Sequence, residues 1–147
     1  MWGKSPHSRW VCKRIMKLIA QEQGMGCAVA CVASVLNISY KKALLLFDKP
    51  HQAWGRGFYC PQTCKALKKA GKEYHWAKIS SKNKALIKRI GIIVFTREDK
   101  KDHLGHYVVK TKKGWMNSWV NFPCITPAKA GYCKKLPGKP SWVIFPV

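Results

Sequence analysis

The segment Cys27–Asn37 (CAVACVASVLN) limits the fold more than any other feature, because nearly all of its residues are small or apolar. A helix that is apolar on every side is buried on every side. The preceding residues, QEQGMG, are polar and contain glycines, which is typical of a loop. The rest of the chain must therefore surround this helix with other elements.

The composition is that of a globular domain. The chain has 147 residues, of which 47% are hydrophobic and 23% charged, and this excludes an intrinsically disordered basic tail. No apolar run approaches the roughly 20 residues of a membrane-spanning helix, and the N-terminus lacks the apolar core of a secretory signal. We expect one domain over residues 1–147, located in the cytoplasm or delivered into a target cell.

Helix signals precede strand signals along the chain. Residues 1–20 form a basic, partly amphipathic segment, and Ser39 is predicted to cap a second helix that ends at Phe47. Pro61 begins a third helix that stops at Ala70, before Gly71. The other predicted elements are an ordered loop His51–Tyr59, a strand Tyr74–Ile79, a short helix Lys82–Ile90 capped by Ser81, a strand Ile92–Phe95, a polar insert Thr96–Leu104, a hairpin of Gly105–Lys110 and Trp115–Val120, a connection Lys134–Pro140 and a last strand Trp142–Phe145.

Helices followed by antiparallel strands predict an α+β fold, with an N-terminal helical layer packed against a C-terminal antiparallel sheet. The sequence contains no repeat, low-complexity segment or linker that would divide it.

The charge is strongly positive. The formal net charge is +22, and lysine provides 23 of the 28 basic residues, spread along the whole chain. Such a surface suits a nucleic acid, an anionic envelope or an acidic protein, but it also serves simply to keep a protein soluble. A nucleic-acid-binding module would add stacking aromatics, for which Trp54, Tyr59, Trp115 and Trp119 are candidates. The scarcity of arginine weakens a base-specific version of this interpretation.

Seven cysteines leave at least one thiol unpaired in a monomer, and we expect most to be free in a reducing compartment. Cys60 and Cys64 are spaced C-x3-C, and a zinc site completed by Cys124, Cys133 or His75 is the alternative. A structural zinc site usually shows two closely spaced ligand pairs, and here there is one. We therefore predict no metal and no cofactor.

Cys27 is a candidate nucleophile because it opens the buried helix. The positive end of the helix dipole favours a thiolate at this position, although a lone cysteine is more often a buried structural thiol. The candidate base is His106 in GHYVV, because it alone among the five histidines follows a glycine and precedes a buried-looking strand.

Two further residues complete a candidate site. If the hairpin loop has two or four residues, His106 and Asn117 lie on the same face, and Asn117 can orient the imidazole; an odd loop would separate them. Gln21 lies six residues ahead of Cys27. Its amide could donate to a developing oxyanion together with the Cys27 backbone N–H.

The order Gln21, Cys27, His106, Asn117 resembles the papain-like cysteine peptidase superfamily, and most closely its C39-type branch, the double-glycine leader peptidases. The nucleophile segment is QEQGMGCAVACVASVLN, the second helix and strand are GFYCPQTCKALKKAGKEYHWAKI, and the histidine hairpin is IGIIVF followed by GHYVVKTKKGWMNSW. The similarity covers residues 21–119, and leaves the basic segment 1–20 and the C-terminal loop and strand 120–147 outside it.

The resemblance implies a papain-like fold and a peptidase that forms a thioester intermediate. Cys27 would be the nucleophile, His106 the general base and acid, Asn117 its orienter and Gln21 the oxyanion donor. The substrate would be a protein or peptide with small residues, such as Gly-Gly, at the scissile bond. Two departures leave the substrate open: Ala28 replaces the usual glycine, and Asn117-Ser118 replaces the usual Asp-Pro.

Other functions remain open on the same residues. The thioester could serve deamidation or acyl transfer, as in papain-fold toxin and effector domains, and a toxin would have an inhibitor or immunity protein as a partner. From a different class, the fold could serve as a basic nucleic-acid-binding module. The enzyme interpretation is favoured because four chemical roles fall in the expected order and spacing.

Overall fold

A computed structural model describes residues 16–97, 105–124 and 127–147. Within them, three α-helices precede a six-stranded sheet in which every pairing is antiparallel and the strand order is β1-β6-β2-β3-β4-β5. The predicted α+β class is thus confirmed. The elements are α1 (Cys27–Leu36), α2 (Tyr40–Leu44), α3 (Cys60–Lys69), β1 (Tyr74–Lys78), β2 (Ile93–Arg97), β3 (Gly105–Thr111), β4 (Gly114–Asn117), β5 (Gly131–Cys133) and β6 (Lys139–Pro146), with 3-10 segments at Pro50–Trp54 and Lys84–Lys88.

Helix α1 is the centre of the core. Its residues from Cys27 to Ser34 are all buried, as the sequence predicts. A Cβ atom on Gly26, directly before the helix, would lie 1.9 Å from the Tyr40 hydroxyl oxygen. Any side chain at this position would displace the Tyr40 hydroxyl, which donates to Gln23 Oε1 in the loop before α1.

Both faces of the sheet are covered. Val109 on β3 and Ile144 on β6 pack with α1 in the main cluster, while Val94 and Val108 belong to a second cluster. This second cluster is covered by Leu86, Ile87 and Leu136. Burial on two sides explains why Ile92–Phe95 is a continuous apolar run instead of an alternating one.

Two elements predicted from the sequence differ from the structure in the same way, because each forms a 3-10 segment. Ser81 does not cap a helix; the turn instead forms through Asn83 Oδ1, which accepts from the Ser80 N–H at 2.8 Å, and a 3-10 segment follows. Part of the predicted loop His51–Tyr59 likewise forms a 3-10 turn. In both places the chain must turn tightly against the core, and a single 3-10 turn needs fewer residues than an α-helix.

The strand ends also differ from the prediction. Thr96 continues β2 because it pairs with His106 on one side and Pro140 on the other. A bulge between Phe95 and Thr96 accommodates the proline, so β6 begins at Lys139 and not at Trp142. The three-residue strand β5 carries no period-two pattern long enough to be recognised in sequence.

The N-terminal segment is described only from Met16, and residues 16–20 are not helical. Most of the predicted amphipathic stretch, and the polar insert from residue 98 to 104, lie outside the described residues. Met16 itself is buried, and its carbonyl accepts from the Tyr132 hydroxyl at 2.8 Å. No helix in the described part of the chain is long and apolar enough to cross a membrane.

Candidate active site

Cys27 is the first residue of α1; it is 9% exposed and lines a cleft. The Tyr107 N–H on β3 donates to its sulfur at 3.5 Å. Burial raises the pKa of the Cys27 thiol, but the charge and hydrogen bond of His106, together with the backbone N–H groups of Tyr107 and Ala28, lower it further than burial raises it. The pKa therefore lies below its ordinary value, which favours a reactive thiolate.

His106 lies between the thiol and an amide. Its Nε2 is 2.6 Å from Asn117 Oδ1, and the same oxygen accepts from the Trp119 N–H at 3.0 Å. An amide oxygen only accepts hydrogen bonds, so Nε2 must carry the proton. In the neutral ring Nδ1 is then the basic nitrogen, and it is the one that can exchange a proton with Cys27.

The hairpin register produces this pairing. Thr111 faces Gly114 and Val108 faces Asn117, so the turn has two residues, Lys112 and Lys113. His106 is two residues from Val108 and therefore on the same face as Asn117. Gly114 has φ of +121°, a conformation that a tight turn requires here and that L-residues rarely adopt.

Gln21 makes hydrogen bonds of a different kind from those of Cys27, His106 and Asn117. Its amide nitrogen donates to the carbonyls of Gln23 and Gly24 at 3.0 and 3.1 Å, and its Oε1 accepts from the Ser118 hydroxyl at 2.7 Å. The side chain is buried and links the loop before α1 to the end of β4. Both amide hydrogens are used within the loop, so an oxyanion role requires one of them to be exchanged for the substrate oxygen.

The cleft above Cys27 has a volume of about 530 Å³. Most of its walls, and Ser118 as the partner of Gln21, were not predicted from the sequence. Its lining comes from six separate parts of the chain and comprises Met25, Cys27, Arg56, Gly57, Phe58, Tyr59, Cys60, Pro61, Trp76, Phe95, Arg97, Gly105, Tyr107 and Trp142. The excess of aromatic residues was visible in the composition, but their convergence depends on the sheet order.

The other described cysteines do not share the environment of Cys27. All six described cysteines are free thiols. Among the residues the structure describes, no group of three or more His, Cys, Asp or Glu side chains is arranged to hold a metal ion.

One of the aromatic residues considered for stacking on a nucleic acid is not accessible, because Trp115 is only 5% exposed, whereas Trp54 and Tyr59 are each 65% exposed.

We predict that Cys27 is the most reactive of the described thiols at neutral pH. Burial raises the pKa of Cys31, Cys60 and Cys64, that of Cys64 to about 12, and leaves these thiols protonated. Limiting iodoacetamide followed by peptide mass spectrometry should therefore modify Cys27 first. Earlier modification of Cys60, which lines the same cleft, would show that access and not thiolate character controls reactivity.

Comparison with known proteins adds no assignment, because no protein-family model and no curated protein sequence matches the chain.

Proposed function

We propose that the protein is a cysteine peptidase of the papain-like type, close to the C39 branch, which cleaves a peptide or amide bond. The observation that carries this proposal is the position of His106, held by Asn117 through Nε2 and coupled to the Cys27 thiol, whose pKa it lowers. A base held by a third group beside a nucleophile is the arrangement that thiol hydrolases need. A nucleophile on a helix start, packed against an antiparallel sheet that carries the other two residues, is compatible with a papain-like fold.

The proposed reaction begins with attack of the Cys27 thiolate on the substrate carbonyl carbon. The oxyanion that forms is stabilised by the Cys27 backbone N–H, which has no partner within the first turn of the helix. The protonated His106 then gives its Nδ1 proton to the departing amine, and a thioester remains on Cys27. His106 next takes a proton from water, the hydroxide attacks the thioester, and the acid product and the thiol are released.

The same thioester supports two related outcomes. Attack by water on the acyl group of a glutamine side chain would be deamidation, and attack by an amine would be acyl transfer. Deamidation and peptide cleavage both use water, and the resemblance to C39-type peptidases favours cleavage of a peptide bond among the three outcomes. Cleavage of the substrate chain is therefore the activity we put first.

Mass analysis of peptide mixtures separates these activities. We expect cleaved fragments that appear with the wild-type protein and are absent with Cys27→Ala. A Cys60→Ala variant is the matched control, because Cys60 lines the cleft and its thiol hydrogen-bonds with the Tyr107 hydroxyl. A gain of about one dalton without cleavage would identify a deamidase, crosslinked or extended peptides a transferase, and an unchanged mixture on both peptides and denatured proteins would contradict a hydrolase.

A further inference from the structure

The charged residues that line the cleft differ in type from those of the chain as a whole. Lysine outnumbers arginine 23 to five in the chain, yet the charged residues among the described lining are Arg56 and Arg97. Lysine, aspartate and glutamate are absent from that lining. A surface that was basic only for solubility would place lysines here in proportion to their number. The arginine pair therefore calls for its own explanation.

The two arginines reach the cleft from separate parts of the chain. Arg97 ends β2 and pairs with Gly105 on β3, while Arg56 lies in the loop between the first 3-10 segment and α3. The first residues of both α1 and α3, Cys27 and Cys60, also line the cleft. The positive ends of two helix dipoles therefore add to the two guanidinium charges.

Neither guanidinium is already engaged within the described residues. The ion pairs there join Asp48 to Lys65 and Lys69, and Glu73 to His75, all away from the cleft lining. A guanidinium presents planar N–H donors that bind a carboxylate through two parallel hydrogen bonds, which a lysine cannot do. The cleft thus offers unused donors suited to a carboxylate.

Aromatic side chains form the rest of the walls. The rings of Phe95 and Tyr107 lie 4.8 Å apart and those of Trp76 and Trp142 5.6 Å apart. These surfaces favour an apolar or aromatic side chain, and they reduce the water around a bound charge, which strengthens its attraction to arginine.

We propose that the cleft binds a peptide substrate that carries a carboxylate beside a bulky apolar residue, with Arg56 and Arg97 as the carboxylate-binding residues. This inference rests on the proposed function and specifies its substrate class. A peptide is favoured over a nucleic acid because the two exposed arginines and the aromatic walls line the same cleft as Cys27, whereas a phosphate backbone needs a continuous basic track. The carboxylate could belong to an Asp or Glu side chain or to a chain terminus, since both present the same group.

Alkylating peptides test this without a known substrate. The probes are N-iodoacetyl-Phe-Glu-amide and its neutral twin N-iodoacetyl-Phe-Gln-amide, the same pair in the order Glu-Phe and Gln-Phe, and N-iodoacetyl-Phe-Gln as the free acid. In at least one order we expect the Glu probe to modify Cys27 about tenfold faster than its Gln twin, the effect of one charge-assisted hydrogen bond. A fast free acid would indicate a chain terminus instead of a side chain.

Three arginine variants locate the effect. The faster reaction of the Glu probe relative to its Gln twin should fall to about twofold or less in Arg56→Gln, in Arg97→Gln or in both. It should persist in Arg89→Gln, the control, which removes one exposed arginine outside the cleft lining. Plain iodoacetamide should modify Cys27 at an equal rate in all of them, which shows that the site is intact. The inference would be overturned if Arg89→Gln lost the preference for the Glu probe equally, or if both Arg56→Gln and Arg97→Gln kept it. Either result would mean that the overall positive charge, and not the two arginines, attracts the carboxylate.

The remaining outcomes are distinguishable. Protection of Cys27 by a short oligothymidylate, without protection by acetyl-Phe-Glu-amide, would overturn the inference in favour of a nucleic acid. Fast modification of Cys27 by every probe at equal rates would contradict the carboxylate site but leave the proposed function standing. Failure of Cys27 to react ahead of the other thiols with any probe would contradict the proposed function itself.

Discussion

Replacement of His106 by alanine is expected to lower turnover by about 100- to 10,000-fold, the usual contribution of a general acid–base group. It should also raise the pKa of Cys27. Burial alone raises this pKa above the ordinary value of 9.0, and the charge and hydrogen bond of His106 are the largest of the opposing effects. Without the imidazole, the effect of burial is opposed only by the backbone hydrogen bonds of Tyr107 and Ala28, so the pKa rises.

The pH dependence of alkylation measures this change directly. Iodoacetamide reacts with the thiolate, so its rate rises as the pH passes the pKa of Cys27. We expect the inflection below pH 9.0 in the wild-type protein and at a higher pH in His106→Ala than in the wild type. His51→Ala is the control, because His51 is exposed and does not line the cleft. An inflection that does not move in His106→Ala would show that His106 does not act on Cys27.

The sequence was sufficient to predict the parts of the site that depend on local pattern. An apolar run after a glycine-containing loop predicted α1 and placed Cys27 at its start, where the structure has it. The hairpin was also predicted, but the side of the sheet on which Asn117 lies depended on whether the loop was odd or even. The structure shows a two-residue turn, Lys112–Lys113, with Gly114 at positive φ directly after it.

The parts that the sequence did not predict all depend on long-range pairing. Trp76 and Trp142 are far apart in the chain and meet only because β1 and β6 are neighbours, with Trp76 facing Ile144. The arginine pair of the cleft is likewise created by the fold, since Arg97 was assigned to a polar insert. Strand order in a sheet is set by the summed packing of both faces, which no local window of sequence contains.

Gln21 shows how one local sequence pattern is compatible with two different roles in the fold. Its position six residues before Cys27 predicts an oxyanion donor, yet the structure uses its amide to close the loop and its Oε1 to bind Ser118. These two roles make different predictions. An oxyanion donor acts only in the transition state, whereas a loop brace also controls where the thiol lies.

Replacement of Gln21 by alanine should lower turnover by about 100- to 1,000-fold with little change in KM if the amide is an oxyanion donor. Ser118→Ala is the matched control, because it removes the partner of Oε1 and leaves the amide nitrogen in place; we expect its turnover to fall only a few-fold. Alkylation of Cys27 by iodoacetamide supplies the deciding measurement. This displacement forms no oxyanion, so its rate should be unchanged in Gln21→Ala. If the alkylation rate falls together with turnover, and Ser118→Ala shows the same loss, Gln21 acts by holding the loop and not by stabilising the transition state.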